Sequence, residues 1–324
     1  MNKILITGGA GFIGSHVLER VIAAYPEASI TILDKMTYAA DYQNISHLLD
    51  PSKCRLMVGD VCDLDLCLEL ARDTDCVIHM AAESHVDNSF GNSLTFTRSN
   101  ALGTHTLLEA ARVAGVKLFV HVSTDEVYGE IDAGEFTESS PLLPSNPYSG
   151  SKAAADMIVH SYICSFKMPV IKVRSNNIFG IRQYPEKIVP RFTLQKLHGK
   201  PMSIHGDGRN RRRYLAAEDF AEAIITLIEH GTVGEIYNIG TTDEFTNLEI
   251  AALICESLGG NVKDSVTYVG DRPFNDSRYA VKFDKITALG WKPRHHLRDE
   301  IQKVTNWYRD NISRYQFLIE RGEI

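Results

Sequence analysis

Short apolar runs alternate with longer amphipathic segments along the first half of the chain. The runs KILIT, SITIL, CRLMV and CVIHM are dominated by apolar residues, whereas segments such as GSHVLERVIAAY and LDLCLELAR repeat apolar positions at helical spacing. Strands without polar alternation are typical of parallel sheets that helices cover on both faces. The pattern therefore predicts an α/β protein with a doubly wound parallel sheet.

The pattern of predicted strands and helices changes after Arg174. Up to that point strands and helices alternate regularly, whereas later stretches such as NNIFGIRQYPEKIVP and GDRPFNDSRY are shorter and richer in loop residues. We predict a first domain over residues 1–174 and a smaller, mixed α/β substrate-binding region over residues 175–324. Because AAEDFAEAIITLIEHG again has helical periodicity, we expect the chain to return to the first domain near residues 214–230.

Composition and charge exclude several classes of protein. Hydrophobic residues make up 44% of the 324 positions and charged residues 23%, which are ordinary values for a folded protein. The net charge of −7 and the scattered lysines and arginines argue against a nucleic-acid binder. No apolar run approaches the roughly 18 residues of a membrane span, and the six cysteines show no metal-ligand spacing. We therefore expect a soluble, cytoplasmic protein with free thiols and no metal.

Three glycines lie between the first predicted strand and the first predicted helix. In ITGGAGFIGSHVLER, Gly8, Gly11 and Gly14 allow a tight turn, close approach of the backbone to a pyrophosphate, and packing of the helix on the strand. Asp34 ends the second strand, where a carboxylate binds a ribose hydroxyl and repels the extra phosphate of NADP, although Lys35 beside it opposes that repulsion. These residues predict a Rossmann-type fold that binds NAD in preference to NADP. The alternatives are a plain tight turn and a solvated carboxylate.

A tyrosine and a lysine stand four positions apart in NPYSGSK, at the start of a predicted helix. Tyr148 and Lys152 therefore share one face of that helix. An ammonium group one turn from a phenol favours the phenolate, so we expect the pKa of Tyr148 to be lowered from about 10. Such a tyrosine can take the proton of an alcohol while a hydride leaves to a nicotinamide. The alternative is a pair on the helix surface without chemistry.

Two adjacent carboxyl groups follow the apolar run LFVHVST. Burying a carboxylate is costly, so Asp125 and Glu126 at this strand end indicate acid and base chemistry. Two neighbouring carboxyl groups whose pKa values differ can supply a general acid and a general base in one site. The alternative is a turn with two solvated carboxylates.

In combination, these residues resemble the extended short-chain dehydrogenase/reductase superfamily. Within it, the motifs AAESHVD, STDEVYG, NPYSGSK, YPEK, GDG and DRPFNDSRY are similar to those of the nucleotide-diphosphoglucose 4,6-dehydratases, over essentially the whole chain. The resemblance implies a lyase that uses NAD to oxidise the sugar C4 hydroxyl, eliminates water across C5 and C6, and returns the hydride to C6. It implies that Glu126 is the base at C5 and Asp125 the acid at C6. Thr124 would hydrogen-bond the C4 oxygen beside Tyr148.

The same resemblance assigns binding positions. The implied cofactor positions are Gly8, Gly11, Phe12, Ile13, Gly14, Asp34, Lys35, Asp60, Val61, Ala81, Ala82, Ser84, Asn100, Tyr148, Lys152 and Asn177. The implied substrate positions are Ser84, Thr124, Asn176, Lys187, Ile188, Ser203, His205, Arg212, Asn247, Arg272, Asn275 and Tyr279. Arginine suits a diphosphate because its planar group binds phosphate oxygens in pairs, and the alternative for each basic residue is a solvated surface charge. The chain departs from the family pattern at Ile181 and Arg182, and Arg182 and Arg213 either add phosphate contacts or do nothing.

The sequence leaves the nucleotide open between thymidine and uridine. HVDNSFGNS and RPFNDSRY are similar to the uridine-glucose enzymes of the rhamnose route, whereas the motif set as a whole is shared with the thymidine enzymes. The two bases differ by one methyl group, which is worth only about 1–3 kcal/mol of discrimination. We predict dTDP-glucose as the substrate, with UDP-glucose as the alternative.

Two other functions are compatible with this class of fold. A sugar-nucleotide 4-epimerase needs Tyr148 and Lys152 but not two adjacent acids, so Asp125 and Glu126 argue against it. An inactive NAD-binding regulator would lack the tyrosine, the lysine or one of the two acids, whereas this sequence keeps all of them. Members of the family are commonly homodimers, and we expect a homodimer through the helices that carry residues 100–113 and 148–166.

Overall fold

The computed structural model describes residues 1–270 and 276–324 of the chain. Its strands in chain order are β1 (Lys3–Thr7), β2 (Ser29–Asp34), β3 (Cys54–Val58), β4 (Cys76–His79), β5 (Leu118–Thr124), β6 (Val170–Ser175), β7 (Asn177–Phe179), β8 (Met202–His205), β9 (Arg211–Ala216), β10 (Ile236–Ile239), β11 (Glu244–Thr246) and β12 (Val266–Val269). Its α-helices are α1 (Phe12–Ala24), α2 (Leu64–Ala71), α3 (Val86–Gly91), α4 (Ser93–Phe96), α5 (Gly103–Ala114), α6 (Pro147–Phe166), α7 (Ile188–Leu197), α8 (Ala217–His230), α9 (Asn247–Leu258), α10 (Val262–Ser265), α11 (Asp284–Thr287), α12 (Leu297–Asp310) and α13 (Gln316–Glu320). No helix among the described residues combines the length and the apolar character that crossing a membrane requires.

One parallel sheet forms the centre of the protein, with the strand order β10-β6-β5-β4-β1-β2-β3. Each neighbouring pair of strands in it runs parallel. The direction of winding reverses between β1 and β4, which is the crevice where doubly wound sheets bind ligands. β6 is buried along its whole length and β5 nearly so, which explains their apolar runs. The doubly wound parallel sheet predicted from the sequence is confirmed.

A smaller group of elements follows β6 in the chain. β7, β9 and β11 form a three-stranded sheet, and β8 pairs with β12. Helices α7, α9 and α12 pack together around a separate core that includes Phe192, Ile250 and Tyr308. Helix α8 instead packs on α1, and β10 joins the main sheet. Helix α8 and strand β10 follow residue 174 in the chain but pack with the elements that precede it. The domain boundary near residue 174 therefore stays a prediction.

A buried ionic network joins α6 to the central strands β5 and β6. Arg174 in β6 donates from Nε to Asp156 Oδ2 in α6 at 2.7 Å and from Nη1 to the Tyr128 hydroxyl at 2.9 Å. His121 Nε2 in β5 lies 3.2 Å from the other Asp156 oxygen. Asp156 is fully buried and Arg174 is 3% exposed, so each charge depends on the other. The network fastens the helix with the predicted tyrosine and lysine to the sheet.

We expect Asp156→Asn to destabilise the protein by about 3 kcal/mol, because it leaves the buried Arg174 guanidinium without its counter-charge. Arg298→Gln, which removes the exposed partner of Glu256, is the control and should leave the free energy of unfolding unchanged. Urea unfolding followed by circular dichroism measures both variants. Equal effects of the two substitutions would contradict the role of the buried pair as an anchor for α6.

Candidate active site

The glycine turn between β1 and α1 forms one wall of a cavity. Gly8 has a φ of +73°, and a Cβ on it would lie 2.8 Å from the amide nitrogen of Ala81. A Cβ on Gly14 would lie 2.0 Å from the carbonyl oxygen of Gly8. Gly11 is the cap residue of α1, and it offers no side chain to that helix end. The amide groups of the first helical turn therefore border the cavity uncapped, an arrangement that suits a pyrophosphate.

Asp34, at the end of β2, fastens the glycine turn and borders the same cavity. Its two carboxylate oxygens accept the amide protons of Ala10 and Met36, each at 2.9 Å. Burial raises the pKa of Asp34, and these two hydrogen bonds oppose that rise. Lys35 Nζ donates to Asp60 Oδ2 at 2.9 Å. The positive charge of Lys35, which would reduce the repulsion between Asp34 and the extra phosphate of NADP, is thus paired with Asp60.

A cavity of about 280 Å³ connects the glycine turn with the end of β5 and the start of α6. The predicted cofactor residues that line it are Gly8, Gly11, Phe12, Ile13, Gly14, Asp34, Lys35, Asp60, Val61, Ala81, Ala82, Ser84, Tyr148, Lys152 and Asn177. Asn100 is not in the lining; its side chain accepts from the Glu83 amide at 2.8 Å and donates to the Glu83 carbonyl at 3.0 Å. Asn100 therefore supports the cavity wall rather than forming it. A cradle bordered by uncapped amides and a strand-end carboxylate fits a dinucleotide.

The two adjacent carboxyl groups line this cavity as well. Thr124 is the last residue of β5, and Asp125 and Glu126 begin the short helical turn Asp125–Tyr128. Asp125 is 2% exposed and Glu126 9% exposed. Asp125 accepts hydrogen bonds from Asn176 Nδ2 at 2.7 Å and from Thr124 Oγ1 at 3.2 Å. Their burial rules out the alternative of two solvated carboxylates.

Burial changes the protonation of both carboxyl groups. It raises the pKa of Asp125 to about 7, and the negative charge of Glu126 adds to that rise. Burial also raises the pKa of Glu126, whereas the positive charges of Arg212 and Lys187 oppose that rise. Asp125 is therefore protonated in about half of the molecules near neutral pH, so it can donate a proton as a general acid.

Tyr148 and Lys152 lie on the buried face at the start of α6. The helix begins with a capping box, in which the Ser149 amide donates to Asn146 Oδ1 at 2.9 Å and Pro147 takes the first helical position. One turn further on, Lys152 Nζ donates to the carbonyl of a β5 residue at 2.8 Å. The spacing read from the sequence therefore places phenol and ammonium in the same cavity as the carboxyl pair.

The protonation of this tyrosine differs from the sequence-based expectation. The pKa of Tyr148 is raised, first by burial and then by the negative charges of Glu126 and Asp125, while a hydrogen bond with Thr124 opposes the rise. Burial also lowers the pKa of Lys152 to about 8. The expected lowering of the Tyr148 pKa is therefore wrong, because burial and two nearby carboxyl groups raise that pKa.

A second cavity of about 160 Å³ adjoins the first, and Glu126 and Lys187 lie in the walls of both. The predicted substrate residues that line it are Lys187, Ile188, Ser203, His205, Arg212, Asn247 and Tyr279. Those that line the first cavity instead are Ser84, Thr124 and Asn176. The Arg212 guanidinium lies 4.5 Å from the centre of the Tyr279 ring and donates to the Asp276 carbonyl at 2.8 Å. Two further predicted residues, Arg272 and Asn275, lie outside the described residues.

The sequence prediction omits some polar residues that the fold brings to the cavities. Glu186 lines both, and its carboxylate accepts from the Tyr38 hydroxyl at 2.7 Å. His85 and Arg191 line the second cavity. Glu186 and His85 stand within the motifs YPEK and AAESHVD, so the motif match was a usable signal for both. For Arg191 the signal was its position one helical turn after Lys187.

Arg182 and Arg213, the two arginines for which the sequence left added phosphate contacts open, form ion pairs outside both cavities. Arg182 Nη2 donates to Glu19 Oε1 at 2.6 Å. Arg213 Nη1 donates to Glu135 Oε1 at 2.6 Å. Neither side chain belongs to a cavity wall. Their charges are therefore satisfied within the protein, and the geometry gives no support to added phosphate contacts.

The fold and the site together define a class of protein. A Rossmann-type sheet, an uncapped glycine turn, and a buried tyrosine one helical turn before a buried lysine are the features that the sequence shares with extended short-chain dehydrogenases/reductases. The family model described as GDP-mannose 4,6 dehydratase matches residues 5–304. The chain belongs to this family.

Relatives with related names match nearly the whole chain. A plant protein, the trifunctional UDP-glucose 4,6-dehydratase/UDP-4-keto-6-deoxy-D-glucose 3,5-epimerase/UDP-4-keto-L-rhamnose-reductase of Arabidopsis thaliana, is 45% identical over 315 residues, which cover 95% of this chain and 47% of that protein. The dTDP-D-glucose 4,6-dehydratase of Mus musculus is 43% identical over 322 residues, 97% of this chain and 90% of that enzyme. A crystal structure of dTDP-glucose 4,6-dehydratase from Streptomyces venezuelae with NAD and TYD bound has a TM-score of 0.92 and 41% identity, and the match covers 95% of this chain and 97% of that one. This chain thus spans about half the length of the plant relative.

We expect the stability of the wild-type protein to fall relative to Asp125→Asn as the pH rises from about 4 to about 7. The Asp125 pKa is raised from 3.8 to about 7 on folding, so the folded state binds the extra proton in this range. That contribution to stability is complete below the unfolded pKa and is lost as the pH rises through the folded pKa. Urea unfolding at several pH values measures it.

The exposed carboxyl group of Asp310 provides the control, and Asp310→Asn should differ from the wild type by a constant amount across the same range. A constant difference for Asp125→Asn as well would contradict the raised pKa of Asp125.

Proposed function

We propose that this chain catalyses the NAD-dependent dehydration of a nucleotide-diphosphoglucose to the 4-keto-6-deoxy sugar, with dTDP-glucose as the substrate and UDP-glucose as the alternative. The observation that carries the proposal is the buried pair of Asp125 and Glu126 in the same cavity as Tyr148 and Lys152. A 4-epimerase has no use for two buried acids beside the tyrosine. The named activities of the mouse and Streptomyces relatives agree with this assignment.

The cofactor would lie in the first cavity, with its pyrophosphate at the uncapped start of α1 and an adenosine ribose at Asp34. When bound there, NAD would supply the hydride chemistry of the reaction, which is oxidation at sugar C4 and reduction at C6. Lys35 is paired with Asp60, so the negative charge of Asp34 remains to disfavour the extra phosphate of NADP. The solved Streptomyces relative is described with NAD bound.

The first step would remove the proton of the C4 hydroxyl. Tyr148 accepts that proton as a phenolate, and Thr124 hydrogen-bonds the same oxygen. Because burial raises the pKa of Tyr148, the phenolate is a strong base once it forms. Lys152 remains a cation at neutral pH with a pKa of about 8, and it is the protein group that offsets the phenolate charge.

The second step would use the carboxyl pair. The ketone at C4 acidifies the C5 proton, which Glu126 removes, and the electrons of that C–H bond form the C5–C6 double bond. Asp125, which holds a proton near neutral pH, gives it to the C6 hydroxyl as that group leaves as water. The proton held by Glu126 returns to C5 when C6 is reduced, and the proton that Tyr148 took from the C4 hydroxyl replaces the one that Asp125 gave to the departing water.

The second cavity would hold the nucleotide diphosphate. Its walls bring Lys187, Arg191 and Arg212 together, and cations in a partly closed cavity favour a diphosphate. The cavity adjoins the first at Glu126, so a sugar attached to a diphosphate there would reach the carboxyl pair. The mouse relative is named for dTDP-glucose and the plant relative for UDP-glucose, so both nucleotides are candidates.

Parallel incubation with dTDP-glucose and UDP-glucose tests the proposal, with mass spectrometry of the products for the loss of one water. We expect loss of water from dTDP-glucose. Loss of water from UDP-glucose alone would mean that the reaction is as proposed but that the nucleotide is UDP. Loss of water from both sugars would mean that the site accepts either base. If NAD is bound and neither sugar loses water, the dehydratase assignment fails and the epimerase becomes the leading function.

We expect Glu126→Gln to slow dehydration by at least about 100-fold, because it removes the base for the C5 proton. Reduction of the bound cofactor should still occur, since Tyr148 and Lys152 are unchanged, and the absorbance of reduced nicotinamide would report it. Glu27→Gln alters an exposed carboxyl group that lines neither cavity, so it serves as the control and should leave dehydration unchanged. Full turnover by Glu126→Gln would contradict the proposed mechanism.

We also propose that the protein works as a homodimer in the cytoplasm. Helices α5 and α6 pack side by side and leave apolar side chains in solvent, including Val113 at 60%, Met157 at 57% and Phe166 at 53% exposure. Such a group of exposed apolar residues on neighbouring helices is typical of an interface. The six cysteines are free thiols, as is usual in a reducing compartment.

The double substitution Val113→Asp with Met157→Asp should convert the dimer to a monomer at micromolar concentration, because it places charges in an apolar interface. Light scattering measures the mass. Leu143→Asp alters an equally exposed apolar residue, at 67% exposure, outside these helices, and it should leave the dimer intact. A wild-type protein that is monomeric under the same conditions would remove the dimer proposal.

A further inference from the structure

The loop that follows β2, residues 36–45, runs along the edge of the first cavity, and we call it the strap. Thr37, Ala39 and Ala40 of the strap line that cavity. Residues of the chain segment before α7, Gln183 and Glu186 among them, line it too. The strap and the segment before α7 therefore belong to the same cavity wall although they are far apart in sequence.

One side chain of the strap bridges to that segment. The Tyr38 hydroxyl donates to Glu186 Oε2 at 2.7 Å, and the Tyr38 ring meets the Tyr184 ring edge to face at 5.2 Å between centres. The other polar groups beside the carboxylate lie further away, with Lys187 Nζ 3.7 Å and the imidazole Nδ1 of His85 3.6 Å from the Glu186 oxygens. The Glu186 side chain is only 7% exposed. Tyr38 is 43% exposed, so the bond joins a solvent-facing hydroxyl to a shielded carboxylate, and its strength comes from the charge of the acceptor.

The other end of the strap is held as well. The Asp41 amide and the Asn44 side chain donate to the Ala10 carbonyl of the glycine turn, at 3.1 and 3.0 Å. Arg314, near the end of the chain, donates to Asp41 Oδ2 at 2.7 Å and to Asn44 Oδ1 at 2.6 Å. This end is therefore fixed by four hydrogen bonds, whereas the Tyr38 end is held through the ring contact and the hydroxyl, which bonds Glu186 and also interacts with the Asn88 side chain.

We propose that the Tyr38–Glu186 hydrogen bond is a latch that keeps the strap closed over the dinucleotide and slows its release. The inference rests on the proposed function and deepens it. Electrons removed from the sugar in the first step of that reaction return to the same sugar in the last, so the site has to stay closed between the two steps. Tyr38 is thus a positioning residue, which acts on the cofactor through the strap.

Release of NAD tests the latch directly. Wild-type protein and Tyr38→Phe are loaded with radiolabelled NAD and diluted into an excess of unlabelled NAD, and the label that remains bound is followed with time. Tyr38→Phe keeps the ring contact and removes only the hydroxyl. We expect release to become about tenfold faster, which corresponds to about 1.4 kcal/mol for one lost hydrogen bond to a charged group.

The same strap contains a matched control. Tyr42 is 53% exposed and does not line the cavity, so Tyr42→Phe should release NAD at the wild-type rate. Equal release rates for Tyr38→Phe and the wild type would overturn the latch while leaving the proposed function intact. A wild-type protein that retains no label at all would overturn both, because it would bind no NAD.

A double-mutant cycle separates the latch from general loosening of the strap. If the two groups act through one hydrogen bond, Glu186→Gln and Tyr38→Phe should each speed release, and the double variant should add little to either single variant. Effects on the release rate that multiply in the double variant would overturn the pairing. Unfolding midpoints equal to that of the wild type are expected for Tyr38→Phe, since the lost bond lies at the edge of the cavity.

Discussion

The burial of two adjacent carboxyl groups at the end of β5 is the constraint on which the rest of the site depends. Asp125 and Glu126 cannot both be charged at low cost in that position, so the surroundings decide which of them holds a proton. Burial and the charge of Glu126 raise the pKa of Asp125, although a hydrogen bond from Asn176 opposes that rise. The charges of Arg212 and Lys187 favour the ionised form of Glu126. One strand end thereby holds two carboxyl groups that suit the proposed roles of acid and base.

The groups that tune this pair come from distant parts of the chain. The sheet delivers the carboxyl groups, and the network around Asp156 and Arg174 fastens α6 beside them with its tyrosine and lysine. The smaller group of elements supplies the cations of the second cavity, and the strap joins it to the cofactor side. In the proposed reaction, oxidation and elimination share one cavity because these three parts of the chain meet at the carboxyl end of β5.

Features with a local cause could be predicted from the sequence. The continuous apolar runs predicted the parallel sheet, because strands covered on both faces have no polar alternation, and the spacing of Tyr148 and Lys152 placed both on one helix face. Features that depend on tertiary surroundings could not. The raised pKa of Tyr148 follows from burial and neighbouring charges, and the bond from Tyr38 to Glu186 joins residues 148 positions apart. Asn100 lies in the predicted helical segment, but its side chain hydrogen-bonds the backbone of Glu83 and does not line the cavity.

The proposed mechanism requires C4 oxidation, elimination and C6 reduction to occur on one sugar within one closed site. A crossover experiment tests it most directly, with dTDP-glucose that carries deuterium at C4 and carbon-13 throughout the sugar, mixed with unlabelled dTDP-glucose. Mass spectrometry then locates the deuterium in the product. We expect the deuterium at C6 of the carbon-13 sugars only. Deuterium on unlabelled sugars, or its loss to water, would rule out transfer within one closed site.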